Sequence, residues 1–123
     1  MRFPLERAPA GSGNSVDTKA RQDFRRALLD AVDEGLGALG ESARHAIYYH
    51  VEQKSQINRD QIPDRIEVFQ DALDRLLLAG GIVVQRLIAR NLCSRLGIRF
   101  EQCENWKLTN YVGYCEKIKI GTL

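Results

Sequence analysis

Apolar positions recur along most of this chain at intervals of three and four, the period of an amphipathic helix. Between Thr18 and Leu39, one arc holds Phe24, Ala27, Leu28, Ala31, Val32, Gly35, Ala38 and Leu39. This predicts a first helix with Gly40 as its left-handed stop. A second helix is expected from Ser42 to Lys54, with Ala43, Ala46, Ile47, His50 and Val51 on its inner stripe. Tyr48 and Tyr49 lie on the shoulders of that stripe, and His45 faces away.

Asn58 followed three residues later by Gln61 has the form of a capping box. Pro63 suits the first turn of a third helix, where its missing N–H would have no partner anyway. That helix buries Ile66, Phe69, Leu73, Leu76 and Leu77. Gly80 and Gly81 break it, and a fourth helix runs from Ile82 to Leu96, with Gly97 as its stop and Val84, Ile88, Ala89, Leu92, Cys93 and Leu96 inward. An irregular stretch through Trp106 leads to a short last helix, capped by Thr109 or Asn110, with Tyr111, Val112 and Cys115 on one face. The expected fold is all-α: a single-domain bundle of four main helices plus a short C-terminal helix, with Trp106 packed over one end. Residues 1–17, rich in Pro, Gly and Ser, are expected to form a flexible arm. The bundle then occupies 18–118, and 119–123 form a tail.

Two features exceed what a core needs. Val83 and Leu87 fall outside the inner arc of the fourth helix, so it is apolar nearly all round; such a helix is either central or meets another subunit. Ala27, Ala31 and Gly35 form a ridge of small side chains that lets another helix approach closely. Val83, Leu87 and Arg90, and this ridge, are therefore the candidate surfaces for a homodimer or a protein partner.

Composition adds little. The chain has 123 residues, 44% apolar, with a net charge of +2. One domain of ordinary composition is implied, and the interspersed charges favour solvated helix faces over a polyanion-binding tail. The N-terminus lacks a signal-peptide core, and no run reaches the ~18 apolar residues of a membrane span. A soluble, cytoplasmic protein with no membrane partner is expected, its three cysteines, Cys93, Cys103 and Cys115, reduced.

No catalytic, cofactor-binding or metal-ligating set is assigned. His45 and His50 are five residues apart, which turns them about 140° from each other on a helix, and a core or interface role suits His50. Asp30, Asp33 and Glu34, with Arg26 and Arg44 at hand, are expected to form a solvated acidic flank. Gly35-x-Gly37-x-x-Gly40 matches a dinucleotide fingerprint in letters only, because it follows a helix rather than a strand. Buried thiols behave as small apolar groups, and a redox role requires Cys103 and Cys115 to meet. Gln85 lies near the centre of an apolar arc and Arg95 at its margin; buried polar groups need partners, which makes either a candidate for a subunit contact.

Four segments carry a resemblance: DEGLGALGESARHAIYYHVE, IPDRIEVFQDAL, LIARNLCSRLGIRF and NWKLTNYV, in that order across about residues 33–112. They resemble a family of small all-helical archaeal domains of unknown activity, the Nitrosopumilus-type output domain of signalling proteins. The chain departs from that pattern at Leu77 to Gly81, where an aromatic followed by glycine is expected. The resemblance implies a helical output module and no catalytic residues. The expectation is thus a non-enzymatic interaction module, homodimeric. The alternatives are a nucleic-acid-binding regulator using Arg86, Arg90 and Arg99, and a small-molecule sensor with a pocket at His50, Tyr48 and Tyr49.

Overall fold

The computed structural model describes residues 12–121, which form five α-helices and, among the described residues, no strand. They are α1 (Ser12–Gly37), α2 (Glu41–Ser55), α3 (Ile66–Leu77), α4 (Gly80–Leu96) and α5 (Leu108–Lys119), with a 3-10 segment at Arg59–Arg65. Ser12–Asp17, expected in the arm, already belong to α1. Residues 1–11 of that arm, and residues 122 and 123 of the expected tail, lie outside the described residues.

The helices begin and end where local chemistry dictates. Gly97 closes α4 at φ 71°, its N–H and that of Ile98 both reaching back to the carbonyl of Cys93 or Ser94. This left-handed cap satisfies carbonyls that have no partner within the helix. Gly40, at φ 108° and ψ 152°, makes the corner between α1 and α2 in a conformation that excludes any side chain with a Cβ. The Asn58 N–H donates to Gln61 Oε1 at 2.9 Å, as the capping pattern predicts. It opens the 3-10 segment, however, and Pro63 sits inside that segment rather than in the first turn of α3.

The segment between α2 and α3 is less polar than its sequence suggests, because Ile57 and Ile62 are fully buried. On α1 the inner face is Phe24, Leu28, Ala31, Val32, Gly35 and Leu36. Ala38 and Leu39, expected on that face, are exposed because the helix ends at Gly37 and the chain swings off the arc. On α2 only Ile47 and Val51 are buried, and His50 and Ala46 face outward, against expectation. Leu76 of α3 is likewise exposed.

The central element is α4, packed against α1, α3 and α5. Val84, Gln85, Ile88, Ala89, Leu92 and Cys93 are all buried on it. The small-residue ridge of α1 serves this internal contact: Ala31 is fully buried, Ala27 packs on the core, and Gly35 faces Ile88. The ridge is therefore covered by the chain's own fourth helix and is no free surface for a second copy.

A Cβ on Gly35 would lie 2.5 Å from Ile88 Cγ1 and 3.4 Å from the Ile88 backbone. Gly35→Ala gains about 1 kcal/mol in helix propensity, but overpacking at a site with backbone behind it costs about 1–3 kcal/mol. Packing wins, so urea denaturation should show a net loss of about 1 kcal/mol for Gly35→Ala. Ile88→Ala in the same chain should remove the clash, so the two substitutions will combine non-additively.

Candidate functional site

The turn between α3 and α4 is the least expected part of the backbone. Gly80 and Gly81 do not form it; both belong to the first turn of α4. Gly81 is there because a Cβ would come within 3.1 Å of the Leu73 carbonyl and 3.3 Å of Asp74 Oδ1, so closely does α4 start against the end of α3. The reversal falls instead on Leu78, at φ 51° and ψ −124°. A bulky residue in this region is a steric outlier that glycine would relieve. Two hydrogen bonds hold it: the Leu78 N–H donates to the Asp74 carbonyl at 3.0 Å, and the Leu78 carbonyl accepts from the Gly81 N–H at 2.9 Å.

The side chain so held points into solvent. Leu78 is 76% exposed and Val83, in the first turn of α4, is 63% exposed. Leu87, one turn further along, is half-buried. Arg90 follows on the same face, its guanidinium 5.2 Å from the centroid of the Phe100 ring. Of the residues singled out in the sequence, Val83, Leu87 and Arg90 thus share one outer strip of α4, and Leu78 extends it at the corner.

The proposed pocket residues do not come together. Tyr48 turns toward α1, where its hydroxyl donates to Asp33. Tyr49 is exposed and meets His50 edge-on at 6.2 Å between ring centroids. His50 alone lines a cavity of about 260 Å³ between α2 and α3, with Lys54, Arg75 and Leu76 among its neighbours. The arginines considered for nucleic acid are not a free strip either: Arg86 is half-buried on α4, and Arg99, beyond the end of that helix, lies 3.9 Å from Glu101.

Gln85 and Arg95, candidates for a subunit contact, both act within the chain. Gln85 is fully buried, donates to Asp74 Oδ1 at 2.7 Å and accepts from the Leu108 N–H at 3.0 Å. Lys107 reaches the other oxygen of Asp74 at 2.8 Å, and Gln70 accepts from the Thr109 N–H at 2.8 Å. The first N–H groups of α5 are thereby satisfied by side chains from α3 and α4. Arg95 lies 3.2 Å from Glu34 and 3.7 Å from Asp30.

Asp33, expected on a solvated flank, is instead the acceptor of a three-residue knot. Arg59 Nε lies 2.9 and 3.0 Å from its two oxygens, Arg59 Nη2 bonds it as well, and Tyr48 donates to it from α2. The knot ties α1, α2 and the 3-10 segment. Burial by itself would raise the Asp33 pKa, but the bonds from Arg59 and Tyr48 outweigh it and hold the carboxyl below its ordinary 3.8. Burial, followed by the Asp33 carboxylate, pushes the Tyr48 hydroxyl well above its usual range. Among the described residues no group of three or more His, Cys, Asp or Glu side chains converges as a metal site. The thiols that meet are Cys93 and Cys115, buried with Sγ atoms 3.5 Å apart. The thiol of Cys103, which a redox role would require beside Cys115, lies 3.6 Å from the Glu101 carbonyl.

Because Asp33 has a depressed pKa when folded, its contribution is complete above its unfolded pKa and is lost as pH falls through the folded one. Asp33→Asn should lower stability at pH 7 by about 2 kcal/mol, the scale of hydrogen bonds to a charged acceptor. The gap between the two proteins in urea should narrow as pH falls below the ordinary carboxyl value of 3.8 and the folded carboxylate is protonated.

No described helix is long and apolar enough to cross a membrane. No protein-family model, curated protein or solved structure matches this chain.

Proposed function

We propose that this chain is a non-enzymatic interaction module, a single bundle of four main helices closed by α5, that pairs with a second copy through the α3–α4 corner and the outer strip of α4. The observation that carries it is Leu78. An apolar side chain at 76% exposure loses nothing by being polar, and a backbone at φ 51° favours glycine. Leucine is thus unfavourable twice over at this position in the isolated chain. Strain of this kind persists where a site uses it, and burial against a partner would recover about 2 kcal/mol for one such side chain.

Val83 and Leu87, four residues apart, give α4 a short apolar strip. A strip of this kind can pack against its own copy across a two-fold axis, each Leu78 covering the partner's strip. The expected role is output: presentation of a helical surface whose state is set by association, in a reducing cytoplasm where the three thiols stay free. Such a role agrees with the family resemblance and needs no catalytic group.

The test separates stability from association. Leu78→Gly should raise the melting temperature by about 3–5 °C, from relief of about 1 kcal/mol of backbone strain, while weakening the dimer in light scattering. Val83→Glu should also dissociate it, with little change in monomer stability. A wild type that stays monomeric at the highest soluble concentration, or variants that leave its mass unchanged, would overturn the reading.

A further inference from the structure

An aromatic cluster at the edge of the core surrounds a cleft, whose inner wall is the buried Tyr111 and Cys93. It lies where the end of α4, the irregular segment 97–107 and α5 converge, and it encloses about 470 Å³. That volume is within the range of small-molecule sites. Phe100, Trp106, Tyr111 and Tyr114 line it. Trp106 meets Tyr111 edge-on at 5.1 Å and Tyr114 at 6.0 Å, and Phe100 lies 5.5 Å from Tyr111. The rings form a connected wall rather than isolated contacts.

The wall is held in shape. Tyr111 is buried, and its hydroxyl accepts from the Cys103 N–H at 3.0 Å, which pins the irregular segment to α5. Gly97 fixes the start of that segment through the α4 cap. The wall is also incompletely covered: Tyr114 and Ile118, one turn apart on α5, remain 47% and 48% exposed.

Charge at the mouth is uneven. Arg99 and Lys119 line it against the single carboxylate of Glu101, 3.9 Å from Arg99. Two helices end here, and helix C-termini favour cations. That bias is reduced at both ends, because the Gly97, Ile98, Ile120 and Gly121 N–H groups already occupy the carbonyls of Cys93, Ser94 and Glu116. The formal charges therefore decide the sign, and they favour an anion.

We infer that this cleft is a binding site for a small planar aromatic anion, such as an arene carboxylate, whose ring lies against Trp106 and Tyr114 and whose acid group meets Lys119 and Arg99. The site is tested separately from the dimer reading: its lining residues lie outside the Leu78–Val83–Leu87 strip, and the two surfaces meet where Arg90 lies over Phe100. The buried thiol of Cys93 forms part of its floor, and the half-buried Cys103 lies at its side.

Trp106 is the only tryptophan in the chain, so 5-fluorotryptophan labelling gives one fluorine resonance at the cleft. Titration with 2-naphthoate should move it saturably, with a dissociation constant of about 1 mM or below. The neutral 2-naphthylmethanol should bind more weakly, and 2-naphthylmethylammonium most weakly. Lys119→Glu, at an exposed position, should weaken naphthoate about 3–5-fold and bring the ammonium probe level with it. Bound naphthoate should also slow alkylation of Cys103 by iodoacetamide, read by mass spectrometry. A resonance unmoved at millimolar naphthoate would overturn the site. Ammonium binding as tight as naphthoate in the wild type, or an unchanged affinity in Lys119→Glu, would overturn the ligand class.

Discussion

The close approach of α1 to α4 at Gly35 and Ile88 governs the rest of the structure. Without a Cβ at Gly35, and with Ala31 one turn before it, the two helices come near enough for Ile88 to fill the seam. That draws α4 to the centre, where α1, α3 and α5 surround it. A central helix must bury whatever lies on its inner faces, including Gln85. The amide becomes tolerable because Asp74 and the Leu108 N–H meet both ends of it. Its position in turn places the start of α5, whose first donors have no partner within the helix itself.

A second constraint comes from the short return between α3 and α4. The start of α4 lies so near Leu73 and Asp74 that a Cβ at position 81 would force its neighbours back by a few tenths of an ångström. The chain then has too few residues for a relaxed turn, and Leu78 takes the positive φ. Local propensity would have placed that conformation on Gly80 or Gly81. The reversal sits elsewhere because both glycines are used inside the helix, one of them for contact. The result is a strained corner with an apolar side chain on its outside.

Charged residues in this protein mostly serve the fold. The acids of α1 meet Arg59 and Arg95, and Arg25 reaches Asp64 and the Asp60 carbonyl, each at 2.6 Å. These ties join elements distant in sequence. The more exposed ones contribute little individually, whereas the half-buried Asp33 knot fixes how α2 and the 3-10 segment sit on α1. The mouth of the aromatic cleft and the outer strip of α4 carry residues that these ties do not engage.

Much of the architecture was legible in the residues. The helical class, the inner face of α4 and that of α1 up to Gly35, the stop at Gly97, the Asn58–Gln61 cap and the buried Tyr111, Val112 and Cys115 follow from periodicity and cap chemistry, which act within a few residues. Gly40, by contrast, caps the start of α2, and α1 already ends at Gly37. What escaped depends on which element covers which. Ile57 and Ile62 lie in a polar stretch without a period, and only their neighbours bury them. His50 shares a helical stripe with Ile47 and Val51, yet those two are buried and His50 is exposed. The meeting of Cys93 with Cys115, the partners of Gln85 and the turn at Leu78 are likewise set by packing across the bundle. The sequence by itself determined the helices and the faces they bury, because those depend on local spacing. Only the tertiary structure decided the seam at Gly35, the strained corner and the aromatic cleft, because each depends on contacts between residues far apart in the chain.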